Sequence, residues 1–89
     1  MTIWKFELPP HRTVVMPVGA KILCCQTQNE KPYLWALVDP EAPKEQRQFQ
    51  VIPTGVDFDP TGFTYLGSFH GVMGWMVFHL FERSEDATL

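Results

Sequence analysis

Apolar and polar side chains alternate along most of this chain with a period of two residues, and apolar residues at helical spacing are hard to find. A period of two is typical of strands, because successive side chains on a strand point to opposite faces of a sheet. Eight prolines, which interrupt helices, and an aromatic content of 13% favour sheet in the same way. The sequence therefore predicts an all-β fold.

Turn residues divide the alternating segments into about seven predicted strands. Their bounds are 2–8, 12–16, 20–28, 33–39, 46–52, 63–70 and 75–82. Short connections predict mostly antiparallel pairing of sequence neighbours, in a meander that closes into a small barrel or folds into a sandwich. Residues 40–45 fit either one short helical turn, with Asp39 as its N-cap, or a wide hairpin loop.

The length of 89 residues indicates one domain, assigned to residues 1–82 and followed by a flexible C-terminal tail at 83–89. A chain of this size buries only roughly 60–65% of its unfolded surface. Because the resulting stability margin is thin, self-association into a homo-oligomer would supplement it.

The side-chain pattern of two predicted strands indicates how they sit in the fold. The fourth strand is apolar on both faces, which is typical of a central strand. On the third strand, strict alternation places Ile22 and Cys24 on one face and Leu23 and Cys25 on the other.

Charge and hydropathy argue against two classes of partner. The net charge is −3, and the Lys and Arg residues form no basic cluster, so we expect no direct contact with nucleic acid. No apolar run approaches the roughly 20 residues of a membrane span, and the first residues do not resemble a secretory signal. Cys24 and Cys25 are adjacent and form a poor disulfide pair, which indicates reduced thiols in a cytoplasm.

Residue types found in catalytic and metal sites are present without the spacing that such sites need. A zinc site built from the two cysteines with His70 and His79 would lack closely spaced ligand pairs. Ser68 or a cysteine, with a histidine and an aspartate, satisfies the residue count of a catalytic triad, as in almost any small protein. Asp57 and Asp59 share a face, but Asp59 begins an ordinary turn sequence. We therefore predict no enzymatic activity, no metal and no cofactor.

A few polar and aromatic residues remain as candidates for contact with a ligand or partner. Glutamine pairs at a strand end can hydrogen-bond the polar edges of a ligand, although they also occur at plain exposed strand ends. The aromatic side chains, Trp35 and Trp75 among them, either pack in the core or form a patch for a partner or a second copy. The predicted ligand- or partner-binding residues are Gln26, Gln28, Trp35, Thr54, Gly55, Asp57 and His79.

Five short segments follow one another in a characteristic order. They are Trp4-Lys5, Met-Pro-Val-Gly-Ala-Lys-Ile-Leu at 16–23, Gln-Thr-Gln-Asn at 26–29, Leu-Trp-Ala-Leu-Val-Asp-Pro at 34–40 and His-Leu-Phe-Glu at 79–82. In this order and spacing the chain resembles, from about residue 3 to residue 82, a family of small proteins of unknown function encoded by tailed bacteriophages and prophages.

The resemblance implies an accessory protein of a virus that acts in the cytoplasm of its bacterial host. We expect a non-enzymatic protein that binds a host protein or a small nucleotide-like signalling molecule, with a role against host defence. Two other classes stay open at this point: a structural component of the virion or of its assembly pathway, and a small metal-dependent enzyme.

Overall fold

The computed structural model describes residues 1–84 of the chain. Seven strands run through them, β1 Thr2–Glu7, β2 Thr13–Pro17, β3 Lys21–Gln28, β4 Lys31–Val38, β5 Lys44–Pro53, β6 Phe63–His70 and β7 Val77–Arg83. The all-β class and the predicted number of strands are confirmed, and the strand ends differ from the predicted ones by one or two residues at most.

The strands form two antiparallel sheets, with the orders β1-β4-β3 and β2-β5-β7-β6. The sheets pack against a shared core as a sandwich, and the described strands do not close into a barrel. The predicted meander is wrong, because β1 pairs with β4 and β2 pairs with β5. Within residues 1–84, β3–β4 and β6–β7 are the sequence neighbours that pair, and the chain crosses between sheets after β1, β2 and β4.

The core between the sheets consists of inward-facing side chains from both. β4 lies between β1 and β3, as its two apolar faces predicted. Alternation along the strands decides which side chains face inward, because every second residue points the same way. Fully buried members from the two sheets include Leu34, Ala36, Val38, Met16 and Leu80.

A bulge in β3 changes the faces on which its side chains lie. The pairing register with β4 shifts between Ile22 and Cys24. Because a bulge adds one residue to one strand, side chains beyond it no longer follow strict alternation. Ile22 and Cys25 both contact the core and Cys24 is exposed, so the predicted grouping of Ile22 with Cys24 is wrong.

The connection between β4 and β5 is a tight turn. Asp39 Oδ1 accepts a hydrogen bond from the Glu41 amide at 3.0 Å, and the Asp39 carbonyl accepts one from the amide three residues on at 3.1 Å. The predicted helical turn near residues 40–45 is wrong, because Pro43 has no amide hydrogen with which to continue it and β5 begins at Lys44.

One ion pair is largely enclosed beside the core. Arg47 on β5 donates to both carboxylate oxygens of Glu82 on β7, at 2.5 Å from Nε and 2.7 Å from Nη2, and Nη1 donates to the Ala20 carbonyl. The two side chains keep only 16% and 17% of their surface exposed. The hydrogen bonds to Glu82 are the main cause that raises the pKa of Arg47 above its ordinary value. The pair therefore links β5, β7 and the connection between β2 and β3.

The end of the described chain remains attached to the sheet. β7 extends to Arg83, and the Ser84 amide donates to the Gly62 carbonyl at 2.8 Å. The rest of the predicted flexible tail, 85–89, lies outside the described residues. A helix long and apolar enough to cross a membrane is not found in the described part of the chain.

Candidate binding face

The predicted contact residues lie on the outer faces of two different sheets, with the core between them. The three-stranded sheet carries Gln26, Gln28 and Trp35. The outer side of the four-stranded sheet and its adjoining loop carry Thr54, Gly55, Asp57 and His79, which line one depression. The structure therefore does not bring all seven into one site but divides them into two groups on opposite sides of the sandwich.

The group on the three-stranded sheet is engaged by a lysine of the same molecule. Lys5 Nζ lies 4.2 Å from the ring centroid of Tyr33 and 5.7 Å from that of Trp35. The same ammonium group donates to the side-chain oxygen of Gln28. Gln26 pairs with Tyr33 across the strands and also borders the cleft between β3 and β6. Because Lys5 already occupies the aromatic rings, this face offers few free groups to a partner.

The group on the four-stranded sheet takes part in a chain of hydrogen bonds. The Tyr65 hydroxyl lies 2.6 Å from Ser68 Oγ, and Ser68 Oγ lies 2.8 Å from His79 Nδ1. On the other side of the imidazole, Nε2 lies 2.8 Å from Thr54 Oγ1, which donates to the Val77 carbonyl at 3.0 Å. These hydrogen bonds thus fix the His79 side chain between β6 and the end of β5.

The direction of these hydrogen bonds follows from the last of them. Because the Thr54 hydroxyl donates to a carbonyl, it accepts from the Nε2–H of His79. In the neutral form of His79 the imidazole has one donor and one acceptor nitrogen, so Nδ1 then accepts from Ser68, which in turn accepts from Tyr65. Every donor in this series of hydrogen bonds then points away from Tyr65 and toward the Val77 carbonyl. The Tyr65 oxygen keeps its lone pairs toward solvent and is ready to accept a hydrogen bond from a partner.

Aromatic rings lie beside the hydrogen-bond chain. The ring centroids of Phe58 and Phe81 are 4.8 Å apart, those of Phe58 and Phe63 are 5.3 Å apart, and those of Tyr65 and Phe81 are 5.4 Å apart. All three pairs are tilted, which is the favourable arrangement for aromatic quadrupoles. We call this surface the aromatic face; its residues are Thr54, Phe58, Phe63, Tyr65, Ser68, His79 and Phe81.

A second bulge creates the aromatic face. The pairing of β6 with β7 shifts between Tyr65 and Gly67, so that Tyr65 lies opposite Phe81 and Ser68 lies opposite His79. Strict alternation would place residues 65 and 68 on opposite faces, and the bulge brings them to one. Sequence reasoning therefore missed that Tyr65 and Ser68 lie beside His79. A glycine inside a predicted strand was the available signal, because it often marks a bulge.

The loop after β5 forms one wall of the depression. Thr54 donates its amide to the Val77 carbonyl at 3.1 Å, and Gly55 adopts a φ of 91°, which favours glycine. The depression has a volume of about 430 Å³ and includes Phe58 and Asp57. Further along the loop, the Thr61 amide hydrogen-bonds the side chain of Asp59 at 3.0 Å and lowers the pKa of that carboxyl, as in the turn predicted there.

The contacts of His79 define the chemistry that this site can perform. Ser68 and His79 are in hydrogen-bond contact, as a nucleophile and its base would be. The second imidazole nitrogen contacts the Thr54 hydroxyl, where a catalytic triad would place a carboxylate that orients and stabilises the charged base. In residues 1–84, no three His, Cys, Asp or Glu side chains gather to hold a metal ion. The arrangement is suited to holding a polar group beside an apolar one.

The two cysteines differ in environment despite being adjacent. Cys25 faces the core, and burial raises the pKa of its thiol to about 12, with a smaller contribution from Cys24. Cys24 is exposed on the outer side of β3. Because the thiolate is the nucleophile, a thiol that burial keeps protonated and inaccessible reacts slowly.

This difference predicts the reactivity of the native protein with a thiol reagent. At pH 8, one equivalent of thiol per chain should react quickly and the second slowly, with Cys24→Ser removing the fast phase. The slow phase belongs to Cys25, because burial raises the pKa of its thiol to about 12 and also keeps the sulfur out of reach of the reagent. Absorbance after addition of an aromatic disulfide measures both phases. Two equally fast equivalents in the folded protein would contradict the assigned burial.

The whole chain, residues 1–89, matches a family described as a domain of unknown function, DUF7352. The chain belongs to this family. No curated protein and no solved structure matches it. Membership of DUF7352 assigns no activity, so the contacts of the aromatic face are the observations from which a function of this DUF7352 protein can be inferred.

Proposed function

We propose that this DUF7352 protein is a non-enzymatic binding domain that holds a partner protein on its aromatic face. The observation that carries the proposal is a set of packed aromatic rings at the outer surface of a sheet, directly beside a fixed chain of polar groups. Tyr65 at its centre keeps 55% of its surface exposed. Apolar groups with an oriented acceptor at their edge are typical of residues that dominate protein–protein interfaces.

The rigidity of the face supports the same proposal. Phe58, Phe63 and Phe81 hold one another in tilted contact, and Ser68 and His79 fix the hydroxyl of Tyr65. A side chain that is already ordered loses little conformational entropy when a partner covers it. The face therefore needs little rearrangement before binding.

The open position of the face favours a protein over a small nucleotide-like molecule. Sites for small molecules enclose most of the ligand surface, whereas this face lies on the outside of the sheet. A nucleotide also brings negative charge, and the depression contains the carboxylate of Asp57. Arg83, whose guanidinium lies 5.3 Å from the Phe63 ring, contributes a cation at the border, outside the residues that line the depression. We therefore commit to a partner protein.

The biological setting of the proposal comes from the sequence resemblance alone. In this setting the domain is a phage accessory protein, its partner is a protein of the bacterial host cytoplasm, and binding counteracts host defence. The alternative from the same resemblance is a structural component of the virion. Peptide mass mapping of purified particles separates the two, because abundant peptides of this chain in the particles would favour the structural role.

Tyr65→Ser tests the binding role of the aromatic face. The change removes the ring and the inward donor of the hydrogen-bond chain at an exposed position, so folding should be preserved. We expect proteins retained from a bacterial host lysate by the immobilised domain to fall about 10-fold, as quantitative mass spectrometry would measure.

Ile3→Ser is the matched control. Ile3 is 56% exposed, against 55% for Tyr65, and it lies on the other sheet. It should retain the same proteins as the wild type, and circular dichroism should show both variants folded. If Tyr65→Ser retains those proteins as well as Ile3→Ser does, the aromatic face is not the binding surface.

A further inference from the structure

The connection between β6 and β7, residues 71–76, presents large apolar side chains to solvent. Val72 is 61% exposed, Met73 is 65% exposed and Trp75 is 74% exposed. The sequence placed Trp75 inside the last strand, but β7 begins two residues later, at Val77. Exposed apolar side chains that are contiguous in this way mark interaction surfaces.

Hydrogen bonds hold this connection in one conformation. The Gly71 amide donates to the Met76 carbonyl at 2.8 Å, and the Gly74 amide donates to the Gly71 carbonyl at 3.0 Å. His70 Nδ1 donates to the Gly74 carbonyl at 2.9 Å. The apolar side chains are therefore held outward by a built turn, and covering them costs little backbone entropy.

An apolar pocket opens beside the same connection. It has a volume of about 270 Å³ and reaches the edge of the core at Val51, Phe69 and Phe78, with Met76 on its near side. Pockets for drug-sized ligands start at about 300 Å³, so this one suits a single large side chain. The molecule thus carries an exposed indole and a pocket of suitable size within the same few residues.

Two opposite charges line the pocket. Arg12 and Glu30 both contribute to its wall. Neither forms an ion pair within the described residues, where the pairs are Lys31 with Glu7 and Arg47 with Glu82. A two-fold axis that passes between one unpaired cation and one unpaired anion places each cation near the anion of the other copy. A surface with these two charges beside a pocket is therefore complementary to a second copy of itself.

We propose that two copies of this chain form a two-fold symmetric dimer in which Trp75 of each copy occupies the apolar pocket of the other. Charge complementarity between Arg12 and Glu30 and the adjacency of indole and pocket select a second copy as the occupant. The net charge of −3 disfavours the alternative of an anionic membrane surface. The dimer uses the loop end of the sandwich, which adjoins the aromatic face because Trp75 and Thr54 line a common depression. The dimer rests on contacts other than those that support the partner proposed for that face.

Sedimentation equilibrium of the full chain tests the dimer. The wild type should pass from monomer to dimer as its concentration rises, and Trp75→Ser should weaken the association about 30-fold. Ile3→Ser, an equally apolar exposed change on the other sheet, should leave it unchanged. A wild type that stays monomeric to the highest soluble concentration, or a Trp75→Ser variant that associates like the wild type, overturns the proposal.

A charge exchange distinguishes this dimer from other modes of association. Arg12→Glu alone should weaken the dimer, because the introduced carboxylate repels Glu30 across the interface, and Arg12→Glu with Glu30→Arg should recover most of the affinity. Equal weakening in the single and double variants would overturn the assigned contact.

Flotation with phosphatidylglycerol vesicles tests a lipid surface as the occupant in place of a second copy. If the protein is monomeric in solution and binds these vesicles in a way that depends on Trp75, the dimer proposal is overturned and the loop is assigned to a lipid surface.

Discussion

Replacing Arg47 by Met should lower the free energy of unfolding by about 3 kcal/mol. The substitution leaves the Glu82 carboxylate largely enclosed, with 17% of its side chain exposed and without the two hydrogen bonds that compensate its charge. It also removes the donor to the Ala20 carbonyl. For a domain of this size the loss corresponds to a decrease in Tm of about 12–24 °C. Thermal unfolding followed by circular dichroism measures it.

The double variant Arg47→Met with Glu82→Met separates the cost of an orphaned charge from the contribution of the pair. When both charges are replaced by apolar groups of similar length, no enclosed carboxylate remains, and replacements of this kind are often nearly neutral. We expect the double variant to recover at least half of the loss. A double variant as unstable as Arg47→Met would show that the ion pair itself, and not the orphaned carboxylate, accounts for the stability.

Replacing Leu34 by Ala should lower the free energy of unfolding by about 3 kcal/mol as well, for a different reason. Leu34 is fully buried at the centre of β4, opposite Phe6 on β1 and Cys25 on β3. Its removal leaves a cavity between the sheets that the neighbouring strands can fill only in part. Urea unfolding should show a lower midpoint with an unchanged slope, because the surface exposed on unfolding is nearly the same.

Leu37→Ala is the control on the same strand. Leu37 lies on the outer side of the three-stranded sheet and is only partly buried, so the same deletion of side-chain atoms should cost about 1 kcal/mol. Equal losses for Leu34→Ala and Leu37→Ala would contradict the assignment of inner and outer faces to β4.

Where alternation along a strand is unbroken, the sequence predicts which side chains share a face of the sheet. Along β4 and β5 the burial of side chains alternates without a break, with Leu34 and Phe49 in the core and Gln48 at the surface. These assignments need only the period of a strand, which is a local property. The antiparallel class followed from the short connections in the same way.

Strand order and the faces beyond the bulges could not be predicted. Whether β1 pairs with β2 or with β4 depends on contacts between residues far apart in sequence, which periodicity does not report. A shift in register depends on the partner strand. The sequence of the strand alone therefore does not determine that Cys24 in β3 and Ser68 in β6 lie on the faces opposite to those given by strict alternation. Trp75 was misplaced because an apolar residue beside a turn fits a strand end and an exposed loop equally well.

The candidate site was predictable to the extent that it depends on one loop and one strand. Thr54 and His79 were selected from sequence and lie in direct contact. Their hydrogen-bond connection to Tyr65 depends on the bulge at Leu66, and the positions of the aromatic rings around them depend on the pairing of β6 with β7. Gln26 and Gln28 were chosen as a glutamine pair at a strand end, and Trp35 as an aromatic side chain on a doubly apolar strand. Neither criterion reports which sheet a strand joins.

The two sheets alternate along the chain, and this alternation also governs when the protein can fold during its synthesis. Thr2 on β1 pairs with Val38, and Thr13 on β2 pairs with Gln48, so both early strands leave the ribosome well before their partners. Such non-local pairing raises the contact order and slows folding. Since neither sheet can be completed without the connection that enters the other, and the four-stranded sheet also needs β7, the two sheets should form together, after synthesis has passed β7, and be lost together in one cooperative transition.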